Sequence, residues 1–107
     1  MNQNTYHVFF TNFSNQLKIK VILSLRDKEK SVSELSKELK VEQSKLSHAL
    51  SSLRCCNIVN VKQEGKKRVY YLNKSTIVPI LKIIERHANT FCKHAGACCK
   101  CAHKEVK

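Results

Sequence analysis

Glycine is almost missing from this chain: two residues in 107, beside a single proline and no tryptophan. That excludes the glycine-rich turns that cradle phosphates, where the backbone must approach its ligand with no Cβ in the way. Acidic residues are also scarce, eight against twenty lysines and arginines. No two carboxylates are spaced for general acid and base work, and no nucleophile stands with a base, so no enzyme is indicated. No apolar run approaches the ~20 residues of a membrane-spanning helix. The opening Met1-Asn2-Gln3-Asn4 lacks the basic start of a secretory leader. A cytoplasmic protein without membrane contact is expected. Repeats and low-complexity linkers are missing too. One small domain is expected over residues 1–91, followed by a tail over 92–107.

What is present is positive charge and sulfur. The formal net charge is +12. Its densest part, Lys62, Lys66, Lys67 and Arg68, brackets a single expected turn, a pattern suited to phosphate contact. Six cysteines are present. Four fall in the tail as Cys92-x5-Cys98-Cys99-x-Cys101, with His94 and His103 interleaved, and two form the pair Cys55-Cys56.

Periodicity orders the rest. Residues 5–14 read as a helix with Tyr6, Phe9, Phe10 and Phe13 along it. Residues 16–26 read as a second, with Ile19, Ile22 and Leu23 on one face and Leu25 extending the contact. Asp27 to Lys30 reads as a charged connection. Ser31 or Ser33 then caps a third helix that turns Leu35 and Leu39 into a core. After a turn at Lys40-Val41-Glu42, a fourth helix runs from about Gln43 to Cys56. Its Leu46, Ala49, Leu50 and Leu53 recur at i, i+3, i+4 and i+7. Asn57 suits the left-handed residue that ends a helix. Ile58–Gln63 and Lys67–Leu72 read as strands joined through Glu64-Gly65-Lys66, with Gly65 at positive φ. Ser75 or Thr76 caps a last helix to about Thr90. Pro79 is tolerated in its first turn, and Ile77, Ile80, Leu81, Ile84, Ala88 and Phe91 form its stripe.

The expected fold is thus mainly α with a β-hairpin wing, in the order α-α-α-α-β-β-α. Helix, tight turn, helix and basic hairpin is the winged helix-turn-helix arrangement. The fourth helix offers Gln43, Ser44, Lys45, Ser47, His48 and Ser51 on its polar face. None is bulky enough to block a major groove about 12 Å wide. With Lys62, Lys66, Lys67 and Arg68 they form the expected surface for double-stranded operator DNA.

Two stretches carry a family resemblance. Asn12-Phe13-Ser14-Asn15-Gln16-Leu17-Lys18-Ile19-Lys20-Val21-Ile22 and Val41-Glu42-Gln43-Ser44-Lys45-Leu46-Ser47-His48-Ala49-Leu50-Ser51-Ser52-Leu53-Arg54 resemble the second helix and the recognition helix of ArsR/SmtB regulators. Ile58-Val59, Glu64-Gly65-Lys66-Lys67 and Val69-Tyr70-Tyr71-Leu72 resemble their wing. The resemblance implies a homodimer built on the first and last helices, and a repressor released by its ligand. Two metal sites of that family do not carry over. The stretch Ser33-Glu34-Leu35-Ser36 has no thiol where one site has two cysteines. Of Lys74, Thr76, His87 and Thr90, only His87 matches the other site. Cys56 does match a late recognition-helix cysteine of the cadmium and lead sensors, whereas their other helix cysteine falls on Ser52.

A thiophilic ion needs three or four deprotonated sulfurs on a backbone that can wrap. The tail supplies Cys92, Cys98, Cys99 and Cys101, a turn at Gly96, His94 and His103 as further donors, and Lys93, Lys100 and Lys104 to favour thiolates. Zn(II), Cd(II), Pb(II), Cu(I) and As(III) are the candidate ions. Cys55 lies seven after His48 on the groove side of the helix and Cys56 three after Leu53 on the buried side, so either could link the tail to the reading helix. The expected function is a repressor released from its operator when such an ion binds. A thiol-redox regulator on the same scaffold, and a zinc-stabilised nucleic-acid-binding module without switching, are the alternatives. A metal-buffering protein would leave the wing unexplained.

Overall fold

The computed structural model describes residues 1–91. It contains α1 (Gln3–Ser14), α2 (Gln16–Asp27), β1 (Lys30–Ser31), α3 (Val32–Leu39), α4 (Gln43–Cys55), β2 (Val59–Glu64), β3 (Lys67–Leu72) and α5 (Ile77–Phe91). The described chain divides into two units, one over Met1–Asn73 and a second that begins at Lys74.

In the first unit, asparagine punctuates the first two helices. The Asn2 side chain accepts from the Thr5 amide at 3.1 Å and starts α1. Asn15 closes α1 in extended backbone, and its side chain accepts from the Lys18 amide at 3.0 Å to open α2. Ser31 and Glu34 form a reciprocal capping box at the start of α3. That helix ends at Lys40 in the left-handed region, φ 57°. Asn57, also at φ 57°, ends the α4 segment, and Gly65 takes φ 62° at the hairpin tip, as the sequence implies.

The core of this unit is built by Val21, Ile22 and Leu25 of α2, Leu35 of α3, Leu46, Leu50 and Leu53 of α4, and Ile58, Val59 and Leu72 of the hairpin, all buried. Leu23 departs from expectation. It lies in solvent at 46 % exposure, while Val21 takes the inward place. Leu39 is only half-buried.

The sheet holds one strand more than the expected hairpin. β1 pairs antiparallel with β3 through Lys30 opposite Tyr70 and Ser31 opposite Val69, giving the order β1-β3-β2. Lys30 is therefore no solvated linker residue. It is buried, and its ammonium donates to Ser24 Oγ at 2.8 Å and to Glu38 Oε1. Ser24 Oγ in turn donates to Glu38 Oε2 at 2.8 Å, closing a three-membered network that satisfies a buried charge.

Those contacts, the Lys30 hydrogen bond first and the Ser24 hydrogen bond second, hold the Glu38 carboxyl below its ordinary range. A carboxylate with a depressed folded pKa stabilises the fold above its unfolded pKa. That contribution disappears as pH falls through the lower folded value. Glu38→Gln is expected to flatten the acid limb of the stability–pH curve by lowering stability at neutral pH toward its acid value, because the carboxylate's contribution is present only above its unfolded pKa. Urea titrations between neutral pH and the acid range measure this, and an unaltered acid limb would refute the coupling.

The second unit contains α5. Pro79 sits in its first turn, as expected, where the missing amide proton has no helical acceptor. Ile77 and Leu81 are buried, whereas Ile83, Ile84 and Phe91 stand exposed.

Candidate nucleic-acid interface

Helix α4 is two-faced. Leu46, Ala49, Leu50 and Leu53 are buried. Gln43, Ser44, Lys45, Ser47, His48 and Ser51 are all exposed. The buried side anchors the helix and leaves a row of short polar groups and one lysine free to approach base edges. Gln43 also reaches back to α3, with Nε2 at 3.5 Å from Ser33 Oγ.

The hairpin lies after α4 in the chain, and its tip concentrates positive charge. Lys66, Lys67 and Arg68 are exposed around Gly65. The register places Lys67 opposite Glu64 and Arg68 opposite Gln63. The Arg68 guanidinium rests 5.9 Å from the Tyr70 ring centre, which steadies it without removing its charge. Together with Ser31, Ser33, Glu34 and Lys37, these basic residues line a cleft of about 410 Å³.

Lys62 is different from the other basic residues of the hairpin. Its ammonium lies 2.9 Å from Glu29 and 3.3 Å from Glu64. Hydrogen bonds to Glu29, then Glu64, raise its pKa. The sequence groups Lys62 with the phosphate contacts, but the fold supplies it with two carboxylates of its own.

A second cleft, of about 440 Å³, opens between the start of α2 and the flank of α4. It is lined by Asn15, Leu17, Lys18, Lys45, His48, Ala49 and Ser52. Two of its lining residues, Lys18 and Ser52, belong to a cluster that the sequence did not disclose. Asn12 of α1 is buried. Its Oδ1 accepts from Lys18 Nζ and from Ser52 Oγ, each at 2.9 Å, and its Nδ2 donates to Cys56 Sγ at 3.1 Å. Lys18 Nζ also donates to Ser52 Oγ at 2.9 Å. One signal was available: Asn12 lies among Phe9 and Phe13 at helical spacing, a polar residue inside an aromatic stripe.

Of the sulfur ligands expected from the sequence, the structure places two. Cys55 ends α4 exposed, and Cys56 follows as the half-buried C-cap that accepts from Asn12. Cys92, His94, Cys98, Cys99, Cys101 and His103 lie outside the described residues. Among the described residues, no three of the His, Cys, Asp and Glu side chains converge to hold an ion, and no helix is long and apolar enough to cross a membrane.

Residues 15–61 match the family model described as bacterial regulatory protein, arsR family. Over 79 residues the chain is 30% identical to the transcriptional activator HlyU of Vibrio cholerae, covering 74% of this chain and 73% of that protein. A structure of reduced HlyU from Vibrio cholerae superposes with a TM-score of 0.68 at 33% identity, over 85% of this chain and 93% of that one. The homodimeric winged helix-turn-helix domain of Mb0332 from Mycobacterium bovis, described as a possible ArsR-family regulator, superposes at TM-score 0.77 over 87% of this chain and 86% of that one. Its 14% identity makes it a likeness of fold.

Proposed function

The chain belongs to the arsR family of bacterial regulatory proteins, which are transcriptional regulators and not enzymes, and from that premise we propose that it reads an operator duplex as a homodimer and releases it when a thiophilic ion occupies its cysteines. The observation that carries the reading is the joint exposure of the polar face of α4 and of Lys66, Lys67 and Arg68 at the tip of the wing. The short side chains from Gln43 to Ser51 approach base edges in the major groove, and the wing engages backbone phosphates beside it. A twofold dimer sets two such helices into successive major grooves of a palindromic site.

Two exposed apolar surfaces support the dimer. Tyr6, Val8 and Phe10 stand out from α1, and Ile83, Ile84 and Phe91 from α5. Exposed apolar residues concentrated on two helices of a small chain favour a self-complementary interface. The Mb0332 domain of the same fold is described as homodimeric.

The effector reading rests on donor chemistry. Cys92, Cys98, Cys99 and Cys101 offer enough sulfur for a soft ion such as Cd(II), Pb(II), Zn(II), Cu(I) or As(III), with His94 and His103 as borderline donors. Cys55, exposed at the end of α4, and Cys56 beside it are the thiols that join such an ion to the reading helix. In the cytoplasm these thiols stay reduced and available. A band shift on the DNA upstream of its own gene, with each ion compared, tests the reading. Replacing Cys98, Cys99 and Cys101 together by serine is expected to leave binding within about threefold of wild type while release by ion is abolished. Unchanged release in that variant would remove the tail from the mechanism.

One observation favours a second reading. A relative of similar length was solved in a form described as reduced, and Cys55 here is exposed. If thiol oxidation is the signal, oxidant alone releases the duplex. Mass spectrometry then finds a disulfide joining Cys55 or Cys56 to another cysteine, and chelators have no effect. A zinc-stabilised module without switching predicts instead that chelation leaves operator affinity unchanged. The Vibrio cholerae relative is named an activator, and operator occupancy serves either sign of regulation.

A further inference from the structure

The cluster at Asn12 joins three helices that have separate duties. Asn12 belongs to α1, which presents Tyr6, Val8 and Phe10 outward. Ser52 belongs to α4, the reading helix, and Lys18 to α2 between them. The Lys18 ammonium donates to Asn12 Oδ1 and Ser52 Oγ, and Ser52 Oγ donates to that same Asn12 oxygen. All three distances are 2.9 Å. A lysine ammonium has no acceptor, so the oxygen of the Asn12 amide must face it. That fixes the amide's other end toward Cys56 at the end of α4. The network therefore touches α4 at two points, Ser52 and Cys56, and resists both rotation and sliding of that helix against α1.

We infer that Lys18 is a positioning residue: with Asn12 and Ser52 it latches the partner-facing helix α1 to the recognition helix α4, and so sets the separation and phase of the two reading helices in the dimer. The inference rests on the dimeric operator reading above. Half-site spacing is a geometric property of such a dimer. One base pair more or less moves a half-site by about 3.4 Å and turns it by roughly 35°. A stiff connection between α1 and α4 rejects that displacement, and a loosened one follows it.

Lys18 also lines the cleft with Lys45 and His48, so the competing role is direct contact with a phosphate. The two roles leave different marks. Removing a phosphate-binding cation lowers the slope of log affinity against log salt by about one per contact, hence by about two in a dimer. Breaking a latch leaves that slope alone and flattens the dependence on spacer length. General destabilisation scales every duplex alike, because it only lowers the folded fraction.

The test uses the full chain and a palindromic duplex that the wild-type protein selects from a random-sequence pool, together with versions carrying one base pair more or less between half-sites. Wild type is expected to bind the altered spacers tenfold or more weakly, on the order of an unmatched buried polar group. Lys18→Met keeps the aliphatic stem and removes the ammonium. It is expected to bind the selected duplex about tenfold more weakly, with the same salt slope, and to treat the three spacers within about threefold of one another. Ser52→Ala, a milder change that keeps the helix, is expected to shift the profile in the same direction and carries the test if Lys18→Met does not fold. A wild-type spacer profile in a folded Lys18→Met or in Ser52→Ala, or a salt slope lowered by about one to two in Lys18→Met, overturns the latch. If wild type sediments as a monomer or is itself indifferent to spacer length, the dimeric reading fails first and takes the latch with it.

Discussion

Changing Lys66, Lys67 and Arg68 together to glutamate is expected to weaken duplex binding by about five orders of magnitude near 150 mM salt, down to the non-specific floor. Each cation withdrawn from a phosphate lowers the slope of log affinity against log salt by about 0.9, which at that concentration is roughly 0.7 of a decade. A dimer carries two wings, so six such cations give about four decades, and the new negative charges beside the phosphates add repulsion of about another. The fold is expected to survive. All three side chains are exposed, and the hairpin is held by Val59, Val69 and Leu72 on its buried side and by the left-handed Gly65 at its tip. Anisotropy titrations at several salt concentrations, with thermal melts alongside, separate the effects. A slope that falls by less than one would place the wing away from the DNA.

Lys62 provides the contrast within the same hairpin. Its charge is already met by Glu29 and Glu64, so Lys62→Ala is expected to change affinity by less than about threefold. Exposed pairs of this kind are screened by solvent and contribute little, so stability should also change little. The local effect of the pairing is electrostatic shape: positive charge at the tip, near-neutrality where β2 passes Glu29.

That contrast marks what the sequence could and could not disclose. The two-faced pattern of α4 was legible because one helix carries its own period, and Leu46, Ala49, Leu50 and Leu53 need no knowledge of their neighbours. The caps at Ser31 and Asn57 were legible for the same reason, being local chemistry. The strand Lys30–Ser31 was not. Two residues are too few for an alternation, and they are extended because β3 offers an edge. Nor could Lys30 be read as buried, since its stem and ammonium are accommodated by Ser24 and Glu38 from two other elements. Leu23 shows the limit of stripe counting. The isoleucine and leucines at positions 22, 23 and 25 cannot all face one core at 100° per residue, and Leu23 is turned out. The pairing of Lys62 depends on a carboxylate 33 positions earlier. The Asn12 cluster spans separations of 6, 34, 40 and 44 residues, and no window along the chain holds it together.

Phe10→Asp is expected to abolish dimerisation at micromolar concentration and operator binding with it. Phe10 is 61 % exposed in the protomer, on the same helix as Tyr6 and Val8. A phenylalanine buries roughly 200 Å² when fully covered, so roughly 100 Å² of this ring remains for a partner to cover. At about 25 cal/mol per Å² that is about 2.5 kcal/mol, and twofold symmetry counts it twice. The dimer dissociation constant should then rise by a factor on the order of 10³ to 10⁴, before the cost of desolvating the new carboxylates is added. The protomer should keep its helical content, because the ring contributes little to its core; Phe10 meets Phe9 edge-on, while Phe9 and Phe13 make the inner contact of α1. Sedimentation velocity across a concentration series measures the dimer constant, and circular dichroism checks the fold. A monomer holds one reading helix where a palindrome presents two half-sites. Affinity for the selected duplex should fall toward that of a non-specific sequence, while the salt slope falls by about half because only one wing remains to meet phosphates. A Phe10→Asp protein that still sediments as a dimer at wild-type concentrations would move the interface off α1, and with it the reason for α1 to be latched to the recognition helix at all.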